Sequence, residues 1–160
     1  IAVFAVALVA FLVMRLLHVD TFRAAAHILH AGAGTLSMAV LLTSGYLAAL
    51  AQERARAGKR TAAAVLLRCA GLAGLAFLAI KGIEYMALWT SGTAFDGHPF
   101  FTLYALITGF HAAHVLFGCG LLALVSVRPD PDHVEPSVAF WHMVDLVWVL
   151  VFPVIYLVPR

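Results

Sequence analysis

Charge is what this sequence has least of. Only 11% of its 160 residues are Asp, Glu, Lys or Arg, against about 25% in soluble domains, and this scarcity excludes an ordinary water-soluble fold. The net charge of +2 is too small to argue for nucleic acid. Cysteine is nearly absent as well. Cys69 and Cys119 both lie within apolar blocks, where a thiol is mostly a small packing residue, so a disulfide framework is not expected. The first apolar run lacks a basic leading segment and a small-residue cleavage site, and it reads as a helix rather than a signal peptide. The chain opens at Ile1, already inside that run, which leads us to expect a preceding segment.

Hydrocarbon is what the sequence has in abundance, at 64% of residues. It comes in five runs, at about 1–17, 24–51, 62–89, 100–127 and 137–158. Blocks of about 20 apolar residues read as membrane spans, and an open sheet edge has no place in hydrocarbon. The expected fold is all-α, an integral membrane bundle of five transmembrane helices forming a single membrane domain over residues 1–160. Polar or turn-rich breaks separate the runs: "RLLHVDTFR", "QERARAGKR", "TSGTAFDGHP" and "RPDPDHVEP".

Lysine and arginine set the orientation. The 52–61 loop carries Arg54, Arg56, Lys59 and Arg60, with Arg68 just beyond, whereas Thr90–Pro99 carries none. Basic loops stay cytoplasmic, so the 52–61 loop and Arg128 are expected inside and the C-terminus outside. Arg15 and Arg23 fall on the outer side, outnumbered. An aromatic belt is expected at the outer boundary from Tyr85, Trp89, Phe95, Phe100, Phe101, Tyr104 and Tyr156. Small residues recur inside the spans, among them Gly34, Ser37, Gly71, Gly74, Gly109, Gly118 and Gly120, and they favour close helix approach.

Six ionisable residues lie in the later spans: Lys81, Glu84, His111, His114, His142 and Asp145. Such groups are costly in a membrane and normally face protein or water. Lys81 and Glu84 are three apart, a spacing at which side chains meet; an ion pair and a proton-accessible carboxylate are the two options. His142 and Asp145 share the same spacing on the last span. By depth His114 falls near Asp145, where a carboxylate could fix an imidazole tautomer. His27 and His30 form a further pair, "HILH". From the residues alone, a metal or haem site on His27, His30, His111 and His114, a proton-coupled transporter built on Lys81, Glu84 and Asp145, and a helix-joining hydrogen-bond network all stand open.

The segment "GIEYMALWTSGTAFDGHPFFTLYALITGFHAAHVLFG" resembles subunit III of the haem–copper oxidases. The matching positions are Glu84, Tyr85, Phe100, Phe101, Thr108, Gly109, Phe110, His111, His114, Val115 and Gly118. "FWHMVDLVW" resembles the family's Trp-His-x-Val-Asp-x-x-Trp through Trp141, His142, Val144, Asp145 and Trp148, and "LLTS" matches at Leu41, Leu42, Thr43 and Ser44. The first run lacks the acidic residue the family often has there, and prolines usual between the first two spans are missing; both tell against a proton-antenna role. The five-helix form is also similar to quinol oxidase third subunits and to the accessory subunit associated with nitric oxide reductase.

The resemblance implies a non-catalytic accessory subunit, with no catalytic site, metal or haem of its own. The six ionisable residues then form a structural polar network. Phospholipid is the expected ligand, and haem and copper are expected in a large catalytic partner, subunit I of an oxygen-reducing, proton-translocating complex. The expected location is a bacterial inner membrane.

Overall fold

The computed structural model describes residues 2–17, 31–90 and 99–157. They form five helices: α1 (Ala2–Leu17), α2 (Ala31–Arg56), α3 (Arg60–Thr90), α4 (Pro99–Val127) and α5 (Pro131–Phe152), with a π-helical turn at Pro153–Leu157. No strand occurs among the described residues. The helices α2 to α5 are long and apolar enough to cross a membrane by length and composition. At 16 residues, α1 is shorter than the roughly 20 a span needs. The chain is an all-α integral membrane bundle.

Four helices close a ring. α2 packs on α3 and α5, α4 packs on the same two, and α1 lies outside against α4. Phe4 makes the α1 contact, meeting His114 edge-on with ring centroids 5.4 Å apart.

The helix ends overrun the apolar runs. α2 continues past Ala51 to Arg56 and stops in a Schellman turn. Gly58 has φ 73°, Lys59 N–H donates to Arg54 C=O at 2.9 Å, and Gly58 N–H donates to Ala55 C=O at 3.0 Å. Only glycine enters the left-handed region without steric cost. Arg54 and Arg56 in the last turn complement the helix dipole. α5 begins at Pro131 rather than Ser137, inside the stretch first read as a break. Proline is well suited to a first helical position; Pro136, at the sixth, lies inside the helix and supplies no N–H for the bond to Asp132 C=O. Hydropathy marks what lipid accepts; backbone geometry decides where a helix starts. Two ion pairs tie these hairpins together at the basic end, Arg56–Glu135 at 2.8 Å and Arg60–Asp130 at 2.7 Å.

Trp141 sits at the centre of the ring, fully buried. Its Nε1–H donates to Ser44 Oγ on α2 at 3.0 Å, and that hydroxyl donates to Ala70 C=O on α3 at 2.7 Å. Glycines on α3 and α4 hold the indole from two sides. A Cβ at Gly74 would stand 2.5 Å from Trp141 Cη2, and one at Gly118 2.6 Å from Cε3. Of the small residues expected to pack closely, these two approach the indole. A Cβ at Gly109 or Gly120 would meet nothing within 4 Å.

Candidate functional site

The ionisable residues divide by azimuth around the ring. Lys81 and Glu84, one turn apart on α3, are both buried, and Lys81 Nζ donates to Glu84 Oε2 at 2.5 Å. The same ammonium lies 4.7 Å from the centre of the Trp148 indole on α5. That indole stacks on His111 of α4 at 4.9 Å and 22°, and Phe77 meets both rings edge-on at 4.9 and 5.5 Å. Carboxylate, ammonium, indole and imidazole thus form one column joining α3, α4 and α5. Beside it, the Tyr85 and Thr108 hydroxyls hydrogen-bond across α3 and α4, and Thr108 Oγ1 donates to Tyr104 C=O at 2.6 Å.

His111 and His114 part company. His111 is completely buried, and neither its ring nitrogens nor Trp148 Nε1 has a hydrogen-bond partner among the described residues. His114 is half-buried toward α1, and its Nδ1 pairs with Phe110 C=O of its own helix at 2.7 Å. Three residues at about 100° each leave the two rings roughly 60° apart, enough for one to face the core and the other the α1 seam.

Asp145 is buried and turned toward α2, and neither carboxylate oxygen has a hydrogen-bond partner among the described residues. It is therefore not joined to His114, although depth alone placed them together. A Cβ at Gly45 would collide with Asp145 Oδ2 and stand 3.6 Å from His142 Nδ1, so glycine is what lets α5 approach α2 here. His142 itself is exposed. Gly45→Ala should destabilise the bundle by about 1–3 kcal/mol, the usual range for overpacking. Adding Asp145→Ala should recover part of the loss, because contacting sites couple. Equal, additive losses in detergent melting would rule the contact out.

Sequence reasoning missed Gly45, the Trp141–Ser44–Ala70 chain and the stacking role of Trp148. The available signal was weak: a tryptophan inside an apolar run needs a partner for its N–H, yet spacing does not name that partner. Tyr104 was expected in the outer aromatic belt; it is fully buried and packs against Tyr85 at 5.9 Å. Trp89 is exposed, as a belt residue should be. His27, His30, Arg23 and Phe95 lie outside the described residues, as do the side chains of Arg15, Phe100, Phe101 and Tyr156. Among the described residues, no group of three or more His, Cys, Asp or Glu side chains is placed to hold a metal ion.

A profile of the family described as cytochrome c oxidase subunit III matches residues 25–159. Over 130 residues the chain is 34% identical to cytochrome c oxidase subunit 3 of Triticum aestivum, 33% to that of Arabidopsis thaliana and 35% to that of Danio rerio. Each alignment covers 76% of this chain and 48% of the relative, so the chain spans about half the length of the curated relatives it matches.

Proposed function

Because the chain belongs to the cytochrome c oxidase subunit III family, we propose that it is a non-catalytic accessory subunit of a membrane haem–copper oxidase. Its role is to brace the large catalytic subunit, which carries the haem and copper, and to bind phospholipid between its helices. The carrying observation is that the family match covers the ring and the polar column together. In support, the ring's motif residues face one another as packing partners: Trp141 between glycines, His111 on Trp148. A groove of about 370 Å³ between α2 and α3, lined by Ala39, Val40, Thr43, Ala73 and Ala76, suits an acyl chain.

The six ionisable residues act as structural groups in this reading: Lys81, Glu84 and His111 within the column, Asp145 and His142 at the α2–α5 contact, and His114 at the α1 seam. The membrane is a bacterial inner membrane, with the 52–61 loop cytoplasmic and the C-terminus outside, as the basic loop favours.

The test is cofactor content and turnover of the assembled complex carrying His114→Ala. Haem, copper and oxygen reduction should stay near wild type, within about twofold on the scale of one modest interhelical contact. Loss of a metal or a Soret band with this change would instead make His114 a ligand. In intact cells, Lys59→Cys should resist a membrane-impermeant thiol reagent added outside; ready labelling would reverse the orientation.

A further inference from the structure

Arg68 is the one basic residue of α3 set well inside the helix that points out of the bundle without a carboxylate among the described residues to pair with. Arg56 at the end of α2 and Arg60 at the start of α3 are differently placed, engaged by Glu135 and Asp130. Arg68 lies two turns further in. Its Nε–H donates to Ser126 Oγ on α4 at 3.3 Å, and Ser126 is itself buried and donates to Ala123 C=O at 2.7 Å. The bond engages Nε, so the guanidinium of this exposed residue is anchored at its base.

Depth gives that surface a meaning. Trp89, exposed near the far end of α3, marks one interface. From Trp89 to Arg68 is 21 residues, about 31 Å at 1.5 Å per residue, which matches the roughly 30 Å hydrocarbon thickness of a bilayer. Arg68 therefore stands at the headgroup level of the opposite leaflet. Below it on the same helix face, Leu72 and Leu75 are exposed, an apolar track leading from the guanidinium toward the bilayer centre. A guanidinium keeps its charge at any physiological pH and matches phosphate oxygens with its planar donors.

We propose that Arg68, anchored on Ser126 across the α3–α4 seam, holds the phosphate of an anionic phospholipid in the leaflet beside the 52–61 loop. This deepens the phospholipid part of the function proposed above and rests on it, naming the headgroup charge, the leaflet and the residue. A lipid phosphate and free inorganic phosphate share the chemistry; the apolar track of Leu72 and Leu75 selects the lipid.

The experiment is native mass spectrometry of the assembled complex in phosphatidylcholine nanodiscs titrated with phosphatidylglycerol. The wild type should retain phosphatidylglycerol, and millimolar inorganic phosphate should not displace it. Arg68→Leu should weaken retention about tenfold, the usual scale for losing a charge-assisted hydrogen bond. Arg68→Lys should fall between the two, because an ammonium keeps the charge but not the planar donors. Ser126→Ala should weaken retention about threefold by freeing the anchor. If Arg68→Leu does not assemble, the lysine and alanine variants carry the same test with the charge kept. Unchanged phosphatidylglycerol retention in all variants overturns the Arg68 site while leaving phospholipid binding intact. A wild type that holds no phospholipid of any headgroup overturns both. Full displacement by inorganic phosphate makes the site one for a soluble anion and overturns the lipid assignment.

Discussion

Trp141→Ala should cost about 3–5 kcal/mol, the range for removing a large buried aromatic, and should loosen the four-helix ring as a unit. The indole is fully buried and touches three other helices at once: its N–H reaches Ser44 on α2, and its ring fills the gaps left by Gly74 on α3 and Gly118 on α4. Between membrane helices the driving force is packing rather than release of water, so a void here forfeits contacts that no rearrangement of lipid replaces. Trp141→Phe should cost far less, about 1 kcal/mol, since Ser44 Oγ keeps its bond to Ala70 C=O. Melting of the detergent-solubilised complex measures both. Equal effects of the two substitutions would mean that neither ring volume nor the glycine clasp matters.

Lys81→Met should be similarly damaging, at about 3–5 kcal/mol, because breaking a buried ion pair leaves a charge without its counter-ion. Both side chains are buried, at 3% and 8% exposure, so solvent gives Glu84 little relief once the ammonium is gone. The loss also removes the cation from the face of Trp148, a contact worth about 2 kcal/mol or more when desolvated. The double substitution Lys81→Met, Glu84→Met should be more stable than Lys81→Met alone, since replacing a whole buried pair by apolar groups is often near neutral. A double variant less stable than the single one would show that the pair is not the source of the effect.

Much of this fold was legible because lipid leaves few options. Each apolar run had to become a helix, and polar backbone groups in hydrocarbon permit little else. The ends were not legible: Arg54 and Arg56 are too polar for hydrocarbon yet complete α2, and Pro131 looks like a breaker yet starts α5. Depth was legible for the buried ionisable groups; azimuth was not. His114 and Asp145 sit at compatible depths but face α1 and α2, so no bond joins them. The i, i+3 spacing of Lys81 and Glu84 was informative because a single helix fixes both depth and azimuth. What Trp141 packs against was not legible, for the opposite reason. Its environment is assembled from Ser44, Ala70, Gly74 and Gly118 on three other helices, and no short stretch of sequence contains that arrangement.

We propose that this chain braces a cofactor-bearing partner and carries no redox centre itself. The most direct measurement is isolation of the affinity-tagged chain from its native membranes in mild detergent, with subunit mass and haem determined on the same sample. The predicted result is a complex in which this chain accompanies a larger membrane subunit, the haem stays with that subunit after the two are separated, and the separated chain shows no Soret band. A chain that emerges alone as a stable monomer, or that retains haem or metal after separation, would contradict it.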